Sequence, residues 1–184
     1  KLAGAIEQFQ IQVKGKRALD VGQSTGGFTE ALLNLGATEV VGVEVGHSQL
    51  HPSLAANPKV KTLEKTDIRS LKPSDLGGAF PIVVMDVSFI SVTEILPSLS
   101  LFLEPNADLV VLIKPQFEVA PSLLGGGGIL RKENERVKVL EERKHFCRSL
   151  GFTVAGISDS KITGGDGNQE TFLHLRLLSS KIEN

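Results

Sequence analysis

The chain has 184 residues, of which 41% are apolar and 22% are charged, and its formal net charge is −1. This length suits one domain with its own core, and the balanced charge excludes the electrostatic footprint of a stand-alone nucleic-acid-binding protein. No apolar run approaches the roughly 18–20 residues of a membrane helix, and the single cysteine, Cys147, excludes an internal disulfide. We therefore expect a cytoplasmic protein without a membrane partner.

Apolar runs and amphipathic runs alternate along the chain. Seven short, mostly apolar runs predict strands: 16–22, 38–45, 59–65, 81–87, 107–115, 152–158 and 170–178. Helical spacing of apolar residues predicts five helices: 1–13, 28–37, 47–57, 91–103 (with a kink or break at Pro97) and 130–151. This order predicts an α/β fold with a doubly wound, mostly parallel seven-stranded sheet. The last two strands are joined by a loop without a helix, so one strand should be antiparallel.

A glycine-rich turn, D-V-G-Q-S-T-G-G, runs from Asp20 to Gly27 after the first predicted strand. A nucleoside-triphosphate loop would need a lysine where Phe28 stands. A dinucleotide loop would need a glycine where Ser24 stands, to let the backbone approach a pyrophosphate. The turn therefore favours a ligand without a pyrophosphate at this point, held against backbone and a helix N-terminus.

Two acids follow the next strands, at the edge of the sheet where such folds bind ligands. Glu44 can accept hydrogen bonds from both hydroxyls of a ribose, and Asp67 can accept one from an adenine amino group. A nucleoside with an amino-acid tail, S-adenosylmethionine, fits the turn and both acids. The alternative is that the glycines only make a tight turn. The candidate cofactor-binding residues are Asp20, Gly22, Ser24, Gly26, Gly27, Phe28, Glu44 and Asp67.

Two charged side chains end strands that are otherwise apolar, Asp86 in VVMDVSFIS and Lys114 in VVLIKPQFE. A charge at such a place is paired or functional, and a purely structural ion pair is the simpler alternative. Lys1 opens the first helix and Glu170 begins the last strand, so two lysines and two acids can converge at one edge of the sheet. A lysine that loses its proton in such a cluster can act as a general base toward a hydroxyl.

Five stretches together resemble the TlyA family of ribosomal RNA 2′-O-methyltransferases, proteins often labelled hemolysin A: KLAGAIEQF, ALDVGQSTGGFTEALL, VVMDVSFIS, LVVLIKPQFE and GNQETFLHL. The resemblance implies an FtsJ-like, Rossmann-like class I methyltransferase fold with S-adenosylmethionine on the turn Asp20–Gly27 and on Glu44. It also implies a catalytic tetrad: Lys1, Asp86, Lys114 and Glu170. Gln23 departs from the family's common alanine at the pocket mouth.

The family also carries an N-terminal S4-type RNA-binding domain, so we expect residues 1–184 to be one methyltransferase domain from a longer chain. The implied function is S-adenosylmethionine-dependent methylation of a ribose 2′-hydroxyl, with ribosomal RNA or a ribosomal subunit as partner. The four histidines lack metal-ligand spacing, and no metal is expected. The alternatives are a non-catalytic RNA- or cofactor-binding module, a hemolysin or cytotoxin, and a nicotinamide oxidoreductase, which Ser24 argues against.

Overall fold

Seven strands form one sheet in the computed structural model, which describes residues 1–165 and 167–178. In chain order the strands are β1 (Arg17–Val21), β2 (Glu39–Val43), β3 (Val60–Leu63), β4 (Phe80–Met85), β5 (Leu103–Ile113), β6 (Phe152–Asp159) and β7 (Thr171–Leu177). Their order across the sheet is β3-β2-β1-β4-β5-β7-β6. The mostly parallel, doubly wound seven-stranded sheet predicted from the sequence is confirmed.

The antiparallel strand is β7. Strands β1 to β5 pair in parallel, whereas β7 pairs antiparallel with both β5 and β6. The connection from β6 to β7 is therefore a hairpin, and it returns the chain to the edge where the parallel strands end. Glu170, the residue before β7, lies at that edge as a consequence.

The described helices are α1 (Leu2–Gln8), α2 (Gly27–Asn34), α3 (Pro52–Ala55), α4 (Leu96–Leu99) and α5 (Glu133–Ser149). The predicted helices over 1–13, 47–57 and 91–103 are wrong in their lengths. The left-handed backbone of Gln10 (φ 55°) stops α1, and the fixed φ of Pro52 starts α3 late. Pro97 lies in the first turn of α4, and the segment around it divides into α4 and two short 3₁₀ turns.

Alternate residues of each central strand enter two separate cores, because successive side chains point to opposite faces of a sheet. Leu19 and Val83 face one core, while Ala18 and Ile82 face the other. Helices α4 and α5 cover the first face through four buried residues: Leu96, Leu99, Val139 and Cys147. Helices α1 and α2 cover the second through Leu2, Ile6, Phe28 and Leu32.

The strand order reverses at β1, which lies between β2 and β4. The chain leaves these neighbouring strands in opposite directions, so a crevice opens beyond their carboxyl ends. The glycine turn follows β1, Glu44 follows β2 and Asp86 follows β4. The fold therefore gathers the predicted functional residues around one crevice.

Leu109 lies in the middle of β5 and is 0% exposed, so Leu109→Ala should lower the free energy of unfolding by about 2–5 kcal/mol through lost burial and a cavity. Leu101→Ala is the matched control, since Leu101 is 63% exposed and its truncation should cost less than about 0.5 kcal/mol. Urea denaturation of the two variants measures both values. Equal losses would contradict the placement of the core.

Candidate active site

Two glycines of the turn have a backbone conformation and surroundings that exclude a side chain. Gly22 has φ 81°, and a Cβ there would overlap the carbonyl oxygen of Asp86. Gly26 has φ 99°, and a Cβ there would overlap the Leu54 side chain. Gly27, by contrast, faces open space within 4 Å. The turn can therefore lie directly against the end of β4 while its last glycine leaves room for a ligand.

Glu44 ties the glycine turn to the end of β2. One carboxylate oxygen accepts the backbone N–H of Ser24 at 2.8 Å, and the other accepts that of Gly46 at 2.8 Å. Each oxygen retains a further lone pair. The Glu44 carboxylate thus fixes the turn and can still accept hydrogen bonds from a ligand.

A cavity of about 420 Å³ opens beside this carboxylate. Its described lining includes three carboxylates, Glu44, Asp67 and Asp86, and one cationic side chain, Arg69. Arg69 forms an ion pair with Asp67 at 2.6 Å, and this hydrogen-bonded pair lowers the pKa of Asp67. The remaining negative charge disfavours a pyrophosphate and favours a cationic ligand with an apolar face.

Two lysine–carboxylate pairs lie at the same edge of the sheet. Lys114 Nζ is 2.6 Å from Asp86 Oδ1, and Lys1 Nζ is 2.7 Å from Glu170 Oε2. Both lysine side chains are mostly buried, with 14% of Lys114 and 24% of Lys1 exposed. The adjacent ends of β4 and β5 produce the first pair. Helix α1 and the hairpin to β7 produce the second.

A second cavity, of about 410 Å³, connects the two pairs. Lys1 and Asp86 both line it, together with Gly27 and Phe28. It shares Gly22, Ser24 and Asp86 with the first cavity as walls. A ligand that extends from the first cavity into the second would therefore reach both lysine–carboxylate pairs.

The predicted cofactor-binding residues divide into three groups. Gly22, Ser24, Glu44 and Asp67 line the first cavity. Gly27 and Phe28 line the second, where the Phe28 ring packs against Phe172 with centroids 6.0 Å apart. Asp20 and Gly26 line neither of the two: Asp20 accepts a buried hydrogen bond from Thr29, and Gly26 lies against the Leu54 side chain.

Asp20 begins a buried chain of hydrogen bonds beneath the turn. Its carboxylate accepts from the Thr29 hydroxyl at 2.7 Å, and that hydroxyl accepts from the Gln23 amide at 2.9 Å. Gln23 in turn accepts from Thr62 at 2.9 Å and lies over Gly42, where a Cβ would overlap it. Burial raises the pKa of Asp20 to about 7, against the Thr29 hydrogen bond, and the nearby charge of Asp86 adds to the rise.

Phe89 is a site residue that the sequence analysis missed. It is 90% exposed, its φ is 64°, and it lines the first cavity. Its ring packs against Phe117 with centroids 5.0 Å apart. The signal in the sequence was an aromatic residue three positions after the strand-end acid, in D-V-S-F.

The FtsJ-like methyltransferase family matches residues 1–177, and the chain belongs to this family. It is 44% identical over 176 residues to the 16S/23S rRNA (cytidine-2′-O)-methyltransferase TlyA of Mycobacterium tuberculosis, covering 96% of this chain and 66% of that protein. It is 37% identical to Hemolysin A of Brachyspira hyodysenteriae, over 95% of this chain and 73% of that protein. The chain thus spans about two thirds of the length of these curated relatives.

Solved structures show the same fold. A candidate hemolysin from Streptococcus thermophilus superposes with a TM-score of 0.92 at 38% identity, covering 97% of this chain and 65% of that one. An S-adenosylmethionine-dependent methyltransferase from Mesorhizobium loti superposes with a TM-score of 0.63 at 16% identity, over 94% of this chain and 96% of that one, and it supports the fold alone. The predicted class I methyltransferase fold is confirmed.

Two features are absent from residues 1–165 and 167–178. No helix there is long and apolar enough to cross a membrane. The same residues contain no group of three or more histidine, cysteine, aspartate or glutamate side chains that could hold a metal ion.

The raised pKa of Asp20 makes stability depend on pH. Between its ordinary value of 3.8 and about 7, folded Asp20 keeps a proton that the unfolded chain has lost, so stability falls as pH rises through this window. From pH 5 to pH 7 the wild type should lose about 2 kcal/mol more of its unfolding free energy than Asp20→Asn does.

Urea denaturation at the two pH values measures this difference. Glu104→Gln is the control, because Glu104 is an exposed acid whose replacement should leave the wild-type pH dependence in place. An identical pH dependence in the wild type and Asp20→Asn would contradict the burial of a titrating Asp20.

Proposed function

We propose that this domain transfers a methyl group from S-adenosylmethionine to the ribose 2′-hydroxyl of a cytidine in ribosomal RNA. The observation that carries the proposal is the pair of lysine–carboxylate contacts beside an acidic cavity at the switch point of the sheet. Membership of the methyltransferase family supports the reaction, and the name of the Mycobacterium tuberculosis relative supports the acceptor.

The residues of the two cavities suit S-adenosylmethionine. Glu44 would hold the ribose and Asp67 the adenine. The space beside Gly27 is open, so the backbone there is accessible to the amino-acid tail. The carboxylates of the lining match the positive charge of a sulfonium. When bound, this cofactor supplies an electrophilic methyl group. The surrounding residues orient the acceptor hydroxyl and handle its proton.

Lys114 is the general base in this proposal. Its uncharged amine takes the proton of the 2′-hydroxyl as the hydroxyl oxygen attacks, and the ammonium that forms is stabilised by Asp86 at 2.6 Å. Lys114 also donates to the Ser88 hydroxyl at 3.0 Å, which restricts the direction of the amine.

Lys1 and Glu170 position the acceptor. The Glu170 side chain is 3% exposed, so its charge is directed at Lys1 rather than at solvent. Lys1 lines the second cavity, where its ammonium would donate to the oxygens of a ribose. Most of the rate enhancement should come from holding the hydroxyl in line with the methyl group.

We further propose that residues 1–184 are one catalytic domain of a longer cytoplasmic protein, and that another domain supplies most of the affinity for ribosomal RNA. Two observations support this division. The net charge of this chain is −1, which provides little attraction for phosphate groups. The chain also spans only 66% of the Mycobacterium tuberculosis relative.

Replacing Lys114 by alanine should abolish methyl transfer, a loss of at least about 100-fold, because the proton of the hydroxyl loses its acceptor. The dissociation constant for S-adenosylmethionine should stay within about threefold of the wild-type value, because Lys114 lies outside the first cavity. Tritium transfer to purified 30S and 50S ribosomal subunits by the full-length protein measures methyl transfer. Calorimetric titration measures the dissociation constant for S-adenosylmethionine.

Lys138→Ala is the matched control, since Lys138 is exposed on α5, and it should retain full transfer and binding. Titration with NADH should give no heat of binding, in contrast to S-adenosylmethionine. Simultaneous loss of cofactor binding and transfer in Lys114→Ala would assign Lys114 a structural role. An intact cofactor site in a wild-type protein that methylates neither subunit would favour a non-catalytic binding module.

A further inference from the structure

The loops that follow β4 and β5 contact one another at three successive levels. We call residues 86–92 the β4 loop and residues 114–118 the β5 loop. At the first level Lys114 contacts Asp86 and Ser88, and at the second the rings of Phe89 and Phe117 pack together. At the third level Glu118 of the β5 loop binds the last two residues of the β4 loop.

Glu118 contacts the β4 loop through both of its carboxylate oxygens. One carboxylate oxygen accepts the backbone N–H of Val92 at 2.8 Å. The other accepts the Ser91 hydroxyl at 2.7 Å and lies 2.9 Å from the guanidinium of Arg143 on α5. The Glu118 side chain is 1% exposed. The carboxylate therefore joins both loops to the helix that covers this face of the sheet.

Because the Glu118 carboxylate is buried, the loss of any of its hydrogen-bond partners would be destabilising. A buried charge needs hydrogen bonds on its oxygens, and hydrogen bonds to a charged group are about twice as strong as neutral ones. Burial raises the pKa of Glu118, whereas Val92, Ser91 and Arg143 act in the opposite direction. Glu118 lines neither of the two cavities, so any effect on the reaction must pass through the residues that it holds.

The β4 loop contains a strained residue between the first and the third levels. Phe89 has φ 64°, in the left-handed region that favours glycine, and its side chain is 90% exposed. Such a backbone persists only where the surrounding contacts over-determine it. Lys114 holds the loop before Phe89, and Glu118 holds it after Phe89.

We propose that Glu118 is a positioning residue for methyl transfer, because its buried carboxylate locks the loop of Asp86 and Phe89 to the loop of Lys114. Without this lock the Lys114 amine and the Asp86 carboxylate would no longer keep the alignment that the acceptor hydroxyl needs. This inference rests on the function proposed above.

The test compares Glu118→Gln with Glu133→Gln in the full-length protein. Glu133 is the matched control, since it forms an ion pair with Arg136 on the surface of α5, and 70% of its side chain is exposed. Glu118→Gln should lower kcat for transfer to purified 30S or 50S subunits at least about tenfold through lost alignment. KM for S-adenosylmethionine should change less than about threefold, and Glu133→Gln should match the wild type.

Amide hydrogen exchange tests whether Glu118 holds the two loops together, independently of methyl transfer. In Glu118→Gln the amides of both loops should exchange at least about tenfold faster while those of β1 and β4 remain unchanged. Ser91→Ala removes a single hydroxyl contact, so the exchange rates of the same loop amides should rise by a smaller factor. It is the second variant, should Glu118→Gln fail to fold.

Unchanged loop exchange in both variants would overturn the lock. Faster exchange in both loops with a kcat within about twofold of the wild type would overturn the positioning role. A wild-type protein that methylates neither subunit would overturn the proposed function, and the exchange data would still decide whether Glu118 locks the loops.

Discussion

Close contact between the glycine turn and the end of β4 is the constraint on which the site depends. Gly22 donates its N–H to Val43 at the end of β2 at 2.9 Å, and Asp86 donates its N–H to Val21 at the end of β1 at 3.0 Å. The ends of three strands are thereby joined at one point. Because a side chain at Gly22 would overlap the Asp86 backbone, any larger residue would separate the glycine turn from the strand end that carries Asp86.

The position of Lys1 depends on packing contacts of α1 that lie far from the proposed active site. Helix α1 is held on the sheet by its buried face and by two contacts at its far end. Gln8 accepts the Ser158 hydroxyl at 2.6 Å, and the Phe9 ring stacks on His174 with centroids 5.2 Å apart. Burial of the apolar face of α1 therefore supplies the free energy that places Lys1 opposite Glu170. The Lys1–Glu170 ion pair fixes the final orientation of the two side chains.

The sequence predicts the strand ends well because a charged residue at the end of an apolar run has few structural explanations. Asp86 and Lys114 are in contact because β4 and β5 are neighbours, and the alternation of strands and helices places both charges at the same edge of the sheet. The buried position of Asp20 could also be predicted from periodicity, since it shares the face of Ala18 and therefore points at α2.

Other features depend on contacts that no local pattern encodes. The outward position of Phe89 follows from its φ of 64° and from the neighbouring loop, neither of which an apolar run indicates. The helix predicted over 47–57 is shorter because left-handed Ser48 and the late start at Pro52 override its apolar spacing. Glu118 lies in a recognisable stretch, KPQFE, but its partners Ser91 and Arg143 are distant in the chain.

A crystal structure of the protein with S-adenosylhomocysteine would locate the cofactor relative to the two lysine–carboxylate pairs. The adenosine should lie between Glu44 and Asp67 in the first cavity, and the sulfur should point toward Asp86 and Lys1 in the second. The Lys114–Asp86 and Lys1–Glu170 pairs should both remain in contact in that complex. A ligand bound elsewhere, or one whose sulfur points away from these pairs, would contradict the assignment of the site.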